Sequence, residues 1–487
     1  MTGPPAAATP PGQQLPGVRD MHHVAFDGRL VMLGLGSIGQ GVLPLILAHI
    51  DMPRERITIV TADARGGAVA AALGIRILVQ PLDRRNYRAV LAPLLGAGDF
   101  LLNLSVDVSS VALITLCRAC GALYLDTCIE PWAGGYTDPA LTPSQRSNYA
   151  LRESALALAA GGNSGPTAVV GHGANPGLVS HFVKQALLEI AHDTGAKSDT
   201  PVSRAGWAEL AQRLGVQAIH IAERDTQVGN VAKRRGEFVN TWSIDGFVGE
   251  GCQPAELGWG THEGALPIDG RRHDFGCDAA IYLMRPGASV RVRSWTPLEG
   301  PFHGFLITHN ESISIADYYT VRDGRDVRYR PTVHYAYNPC DDAVLSIHEL
   351  AGRNWRLQPT QRLMMDEITG GMDELGVLLL GHSRGAYWYG SRLAIDEARR
   401  LVPYNNATSL QVTAAVLAGL VWAIENPGCG LVEADALDHA RILDIMRPYL
   451  GDLVGVYSDW TPLLDRARLF AEDLDHARPF RFSNIRV

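Results

Sequence analysis

No long apolar run occurs in this sequence. The best stretch, Val416 to Ile424, falls far short of the ~20 consecutive apolar residues that a membrane-crossing helix needs, so no membrane anchor is expected. The opening MTGPPAAATPPGQQLPG has neither a basic start nor an apolar block, which counts against a secretory signal. Its Pro, Ala and Gly content predicts a disordered tail over residues 1–27. Positive charge is in short supply as well. Against 51 Asp and Glu there are 43 Lys and Arg, a formal net charge of −8, which argues against a nucleic-acid partner and is compatible with a cationic substrate. Cysteine is sparse and odd in number, seven in 487 residues, so no disulfide framework is expected. Cys117 and Cys120 make a single CxxC, but LITLCRACGALYLD reads as a helix running into a strand. With no second CxxC to complete a zinc site, no metal is predicted, and the expected compartment is the cytoplasm.

The rest is ordinary globular composition, 46% apolar and 19% charged, in a chain long enough for two or three domains. From about residue 28, strand-like pieces at Leu30–Leu33, Ile57–Val60, Ile75–Val79, Phe100–Asn103 and Leu123–Asp126 alternate with helical stretches at 38–50, 64–73, 86–96 and 108–119. That alternation predicts an α/β fold, a Rossmann-type doubly wound parallel sheet, over 28–172. Residues 173–400 read as a second, α+β domain for substrate and dimerisation, with short strands such as His303–Thr308 and Ala343–Leu350. Residues 401–487, led by a helix over 407–425, read as a helical segment packing back on the first domain.

Within RLVMLGLGSIGQGVLPLI, Gly34, Gly36 and Gly39 form a GxGxxG that follows an apolar strand and opens a helix. Each glycine has a job there. Gly34 permits the tight turn, Gly36 lets the backbone approach a pyrophosphate, and Gly39 lets helix and strand pack closely. Ser37 and Ile38 open the helix, whose free N–H groups face the phosphates. At the end of the second strand, in ITIVTADARG, Asp63 is placed to bond the ribose hydroxyls, which favours NAD; Arg65 beside it keeps NADP open.

Several further segments are distinctive: NLSVDVSS (103–110), LYLDTCIEPW (123–132), GANPGLVSHFVKQAL (173–187), IHIAERDTQ (219–227), VNTWSIDGFVGEG (239–251), THNESISIADY (308–318), MDELGVLLLGH (372–382) and NATSLQVTAAVLAG (406–419). Together with LGLGSIGQG, and in this order over nearly all of the chain from residue 28 onward, they resemble bacterial homospermidine synthases, relatives of the saccharopine-dehydrogenase-like oxidoreductases. The resemblance implies an enzyme that joins two putrescines into homospermidine and releases ammonia. It also implies that NAD takes a hydride and returns it, so that the net reaction is a transfer, and that the protein is a homodimer. Spermidine as an alternative donor stays open.

A diamine is a methylene chain with a cation at each end, because alkyl amines titrate near ~10.4. It needs carboxylates at two depths, an apolar or aromatic wall, and a group that moves protons. The matching segments supply Asp107, Glu130, Glu250 and Glu311 as carboxylates, and Trp242 as the wall. An indole face attracts a desolvated ammonium or iminium by ~2 kcal/mol or more. His309 and Glu311, two apart in what reads as a strand-like turn, are expected to share a face and shuttle a proton. Asn175 in GANPG is a neutral partner for an amine, and Asp373 matches an acidic position of the family's motif. Structural alternatives exist for each: a helix cap for Asp107, a core aromatic for Trp242, a solvated carboxylate for Glu250, a satisfied histidine for His309. Asp126 and His220 are read as structural.

Gly381 to Gly385 fits G-x-S-x-G after an apolar strand, the pattern of a hydrolase nucleophile elbow. The next residues, AYWYGSRL, are strand-like where an elbow needs a helix, and the piece reads as a hairpin with Ser383 uninvolved in catalysis. Two other functions compete. A reductive aminase of the saccharopine or carboxynorspermidine type needs arginines for its substrates' carboxylates where Glu130, Glu250 and Glu311 stand. A dinucleotide sensor without catalysis needs no such cluster.

Overall fold

The computed structural model describes residues 21–196 and 199–487; the expected tail falls mostly outside them. Its last part is ordered, since Val24–Ala25 pairs in parallel with Ile50–Asp51.

Seven strands form the first sheet, in the order Leu431–Glu433, Ala168–Val170, Leu123–Asp126, Phe100–Asn103, Leu30–Leu33, Ile57–Thr61 and Arg76–Val79, and every pairing is parallel. Four of these strands are buried along their whole length, which is why they read as continuous apolar runs. The chain winds one way from Leu30–Leu33 to Arg76–Val79 and the other way from Phe100–Asn103 onward. The strand order therefore reverses between Leu30–Leu33 and Phe100–Asn103, leaving a crevice at their carboxyl ends.

The second sheet is mixed and has ten strands. At its centre Ala218–Asp225 runs parallel to Thr332–Asn338 and antiparallel to Met372–Leu380. Register places Tyr337 beside Glu223, and Asp373 beside Asp225. Because side chains alternate, Glu223, Asp225, Tyr335, Tyr337 and Asp373 share one face, while His220 and His334 share the other.

Three expectations need correction. Ala343–Leu350 is not a strand but part of the helix Asp341–Gly352, whose buried positions Ala343, Ser346, Ile347 and Leu350 repeat at helical spacing. Residues after 400 are not all helical, since Leu431–Glu433 extends the first sheet and Asp452–Ser458 edges the second. The helix Ala407–Glu425 is in fact long and apolar enough to cross a membrane, but 89% of its apolar window is buried inside the protein. It packs on the helix Ser37–His49 and reaches strands of both sheets. The Gly381–Gly385 turn joins Met372–Leu380 to its antiparallel partner Ala386–Ala394, as a hairpin should.

Candidate active site

The crevice at the strand reversal is built from backbone. Gly34 takes a left-handed φ of +91°, and a Cβ there would come within 2.7 Å of the Leu104 carbonyl oxygen. A Cβ on Gly39 would meet the Gly34 oxygen at 2.6 Å, whereas one on Gly36 would meet nothing within 4 Å. That open space is where a pyrophosphate would approach. The helix Ser37–His49 begins there with no side chain capping it, so its first N–H groups are available to an anion. The crevice has a volume of about 590 Å³ and is lined by Gly34 to Gln40, by Asp63 and Arg65, and by Ser243 to Asp245 from the second half of the chain. These residues fit NAD. Asp63 faces the crevice while tied to Arg65: its carboxylate accepts from the Arg65 N–H at 2.8 Å and from Nε at 2.9 Å, and this pairing holds its pKa below the usual value.

Beyond Ile38 and the Leu104–Val106 loop lies a smaller cavity of about 140 Å³, and both features share those residues. Five residues predicted for the amine site line it: Glu130, Asn175, Trp242, Glu250 and His309. Trp242 lies in the bend between the strand Glu237–Asn240 and the helix Ile244–Cys252, which Ser243 caps by accepting from the Gly246 N–H at 3.1 Å. That helix carries Glu250 in its last turn. The indole N–H of Trp242 donates to the Tyr337 hydroxyl at 3.0 Å, which fixes the plane of the ring.

His309 ends the strand Gly300–Ile307 and its following turn, at the N-cap of the helix Asn310–Tyr318. Glu311 therefore stands in a first helical turn rather than in a strand-like one. The two side chains still meet: His309 Nδ1 lies 3.2 Å from Glu311, and Nε2 lies 2.7 Å from Glu250. Burial alone would lower the His309 pKa, but the two carboxylates outweigh it and hold the ring charged well above its usual range. Glu311 is completely buried and sits behind the histidine rather than in the cavity.

Two other predicted residues fall outside the small cavity. Asp107, exposed and left-handed at φ 64°, lines the dinucleotide crevice; partial burial and Asp245 push its pKa up. It does not cap the next helix, since Ser109 does. Its N–H instead donates to the Glu130 carboxylate at 3.2 Å. Burial pushes Glu130 up to about 8. Asp373 is fully buried behind Thr408, whose hydroxyl donates to it at 2.5 Å, and only Thr408 reaches the cavity.

Among the lining residues that sequence reasoning passed over are Glu223, Tyr335 and Thr408. Glu223 accepts from the Tyr335 hydroxyl at 2.6 Å and from Asn175 Nδ2 at 3.2 Å, and burial pushes it up to about 8. A signal was present. Glu223 and Asp225 stand two apart at the end of a strand that begins apolar, and a central strand does not bury charge without a reason. No Lys or Arg lines this cavity among the described residues. A buried chamber in which carboxylates outnumber the one charged histidine, His309, and an indole is held in place calls for a cationic ligand, and it opens beside the crevice where a nicotinamide would sit.

Residues 30–169 match the saccharopine dehydrogenase NADP binding domain, and residues 173–458 match the saccharopine dehydrogenase C-terminal domain. Homospermidine synthase of Blastochloris viridis is 55% identical over 95% of this chain and 98% of its own. Homospermidine synthase of Mesorhizobium japonicum is 50% identical over 95% of this chain and 97% of its own. Among solved structures, homospermidine synthase of Legionella pneumophila in complex with NAD superposes with a TM-score of 0.89 at 50% identity, covering 95% of this chain and 98% of that one.

Proposed function

Because the chain belongs to the homospermidine synthase family, we propose that it condenses two putrescines into homospermidine, releasing one ammonia, with NAD as a cofactor that is regenerated in each cycle. The observation that carries this reading is the carboxylate-lined, indole-walled cavity opening onto the dinucleotide crevice. Bound NAD would supply the acceptor and later the donor of one hydride, held by the Gly34–Gly39 loop and the start of the helix Ser37–His49.

The chain's own residues carry the rest. Glu223 and Glu130 each offer an ammonium a carboxylate at a different wall of the cavity. Because burial pushes both up to about 8 when the cavity holds no diamine, each takes a proton from an ammonium more readily than an ordinary carboxylate would. A neutral amine is required before its carbon can give up a hydride. Once the imine carbon carries positive charge, the face of Trp242, fixed through Tyr337, stabilises it. The second diamine adds its amine nitrogen to that carbon, and the first nitrogen leaves as ammonia after gaining a proton. His309, held protonated between Glu250 and Glu311, is the donor placed for that step. The same residues then hold the new imine while it is reduced. Asp107, at the mouth of the crevice, and Asp373, through Thr408, act at one remove from the amine.

Homodimerisation, spermidine as an alternative aminobutyl donor and a cytoplasmic location are proposed with this reading; the seven free cysteines are compatible with a reducing compartment. A reductive aminase is disfavoured because the cavity presents carboxylates and no arginine. The deciding experiment supplies putrescine with NAD at catalytic concentration and identifies the product. Homospermidine with one ammonia per turnover and no accumulation of free NADH supports the proposal. One-for-one consumption of NADPH with a carboxylated imine defeats it.

A further inference from the structure

The strand Thr332–Asn338 turns Tyr335 and Tyr337 to one face, where both are buried. Their rings stack with centroids 5.2 Å apart and planes within 18° of parallel. Tyr337 already has an evident task, since its oxygen accepts the Trp242 N–H. Tyr335 lines the amine cavity and touches two other working groups at once. Its ring centroid lies 4.6 Å from that of His309, with the planes tilted by 39°. Its hydroxyl donates to Oε2 of Glu223 at 2.6 Å, and Asn175 Nδ2 donates to the same oxygen at 3.2 Å. Both donors that reach this carboxylate among the described residues therefore share one oxygen, and Oε1 receives none.

We propose that Tyr335 is a positioning residue for the amine site: its hydroxyl holds Oε2 of Glu223 so that Oε1 is the oxygen left to take the proton of the substrate ammonium, and its ring backs His309. A glutamate's last torsion is soft, so a carboxylate without such donors can present either oxygen in many orientations. Two donors on one oxygen remove that freedom before the amine arrives. The groups that face Glu223 come from every element around it: Asp225 on its own strand, Asp373 on Met372–Leu380, Tyr335 and Tyr337 on Thr332–Asn338, Asn175 in the turn before the helix Leu178–Asp193, and His309 at the head of the helix Asn310–Tyr318. Of these only His309 is a cation. Burial and the two aspartates oppose ionisation of Glu223, while His309 and the two donors favour it. Removing the Tyr335 hydroxyl leaves the ring beside His309 and Tyr337, frees Glu223 to turn and makes it easier to protonate.

The inference rests on the amine-site reading above, and its test separates the two. In the full-length protein, kcat/KM for homospermidine formation from putrescine is followed against pH for wild type, Tyr335→Phe, Glu223→Gln and the double variant, with NAD affinity measured by calorimetry. For Tyr335→Phe the expected result is an acid limb displaced to higher pH and a fall in kcat/KM of about tenfold near neutrality, the lower end of what a hydrogen bond to a charged group contributes. NAD affinity should stay within about twofold. Glu223→Gln removes the titration that moved, so adding Tyr335→Phe to it should change the pH profile no further. A Tyr335→Phe profile that superimposes on wild type overturns the proposal, and so does a further shift of the profile in the double variant. A parallel loss of NAD affinity in Tyr335→Phe makes the phenol part of the fold alone and overturns it too. A Glu223→Gln profile that superimposes on wild type defeats instead the reading of Glu223 as a proton acceptor, and a wild-type protein that makes no polyamine from putrescine defeats the amine-site reading.

Discussion

The two chambers of this protein are made of different material. The dinucleotide crevice is backbone: three glycines and a helix start within six residues, with Asp63 and Arg65 at its far end. The amine cavity is side chains, gathered from Glu130, Asn175, Glu223, Trp242, Glu250, His309, Tyr335 and Thr408, which the chain brings from six or more separate elements. A chamber of backbone tolerates little change in shape, and the charged side chains that line this one, Asp63, Arg65, Asp107 and Asp245, are exposed or half-buried. A chamber of buried carboxylates is costly to the empty protein and becomes favourable when a cation enters. Damage to the first should therefore abolish cofactor binding, and damage to the second should spare the cofactor while slowing the chemistry.

The sharpest break in that contrast is Gly36→Val. The site around Gly36 is open, so the protein should fold while the new side chain fills the approach to the pyrophosphate. A loss of NAD affinity of about a hundredfold or more is expected by calorimetry, the scale of displacing a helix-terminus phosphate contact. Unchanged affinity in a folded variant would remove Gly36 from the crevice's function. Next in size is Glu250→Gln, which takes away one of the two carboxylates that keep His309 charged. Turnover should fall by about a hundredfold, the lower end of what general acid–base assistance contributes, with NAD affinity nearly unchanged; parallel losses in both would merge the two chambers into one. Trp242→Ala should cost about tenfold in kcat/KM through lost cation–π attraction, and Trp242→Phe much less. Equal losses would reduce the indole to packing.

The smallest effect is on stability. Glu130 and Glu223 titrate near 8 in the folded chain, above the unfolded value of 4.5, and His309 is raised above 6.5. A raised folded pKa means that the folded state binds more protons than the unfolded one between the two values. The stabilisation is present below the unfolded pKa and is lost as pH rises through the folded one. Without diamine, Tm should therefore drift down by a few degrees between about pH 5 and 8 through these groups, and putrescine should offset more of that loss at pH 8 than at pH 6. Thermal melts across that range with and without putrescine check it; an offset that is the same at both ends would mean that these groups do not face the ligand.

The same contrast governs what could be read from the residues alone. Leu30–Leu33, Phe100–Asn103 and Leu123–Asp126 were legible to the residue, because buried parallel strands are plain apolar runs and the glycine loop is local in sequence. Trp242, Glu250, His309 and Asn175 were reached through the family resemblance, and periodicity alone would not have gathered them. Glu223 and Tyr335 stayed hidden because their meaning depends on which strand lies beside which. Only the pairing of Ala218–Asp225 with Thr332–Asn338 brings the carboxylate to the phenol. Asp373 and Glu311 carried the right chemistry but stand one layer deeper, and depth along a buried face is not written in a pattern of alternation. Ala343–Leu350 was misread because a short apolar run fits either period, and the helix was settled by its burial at Ala343, Ser346, Ile347 and Leu350.

The helix Ala407–Glu425 is apolar on nearly every side and is wedged between elements of both sheets. A ribosome makes it among the last parts of the chain, after the strands it must cover. Until it emerges, the nascent protein presents an uncovered apolar seam on each sheet, and the helix itself, once out, has no solvated face to tolerate delay. Final docking of this one segment closes both halves together. A stop codon placed just before it would therefore yield two nearly complete sheets that cling to chaperones or to each other, rather than a working enzyme with a missing tail.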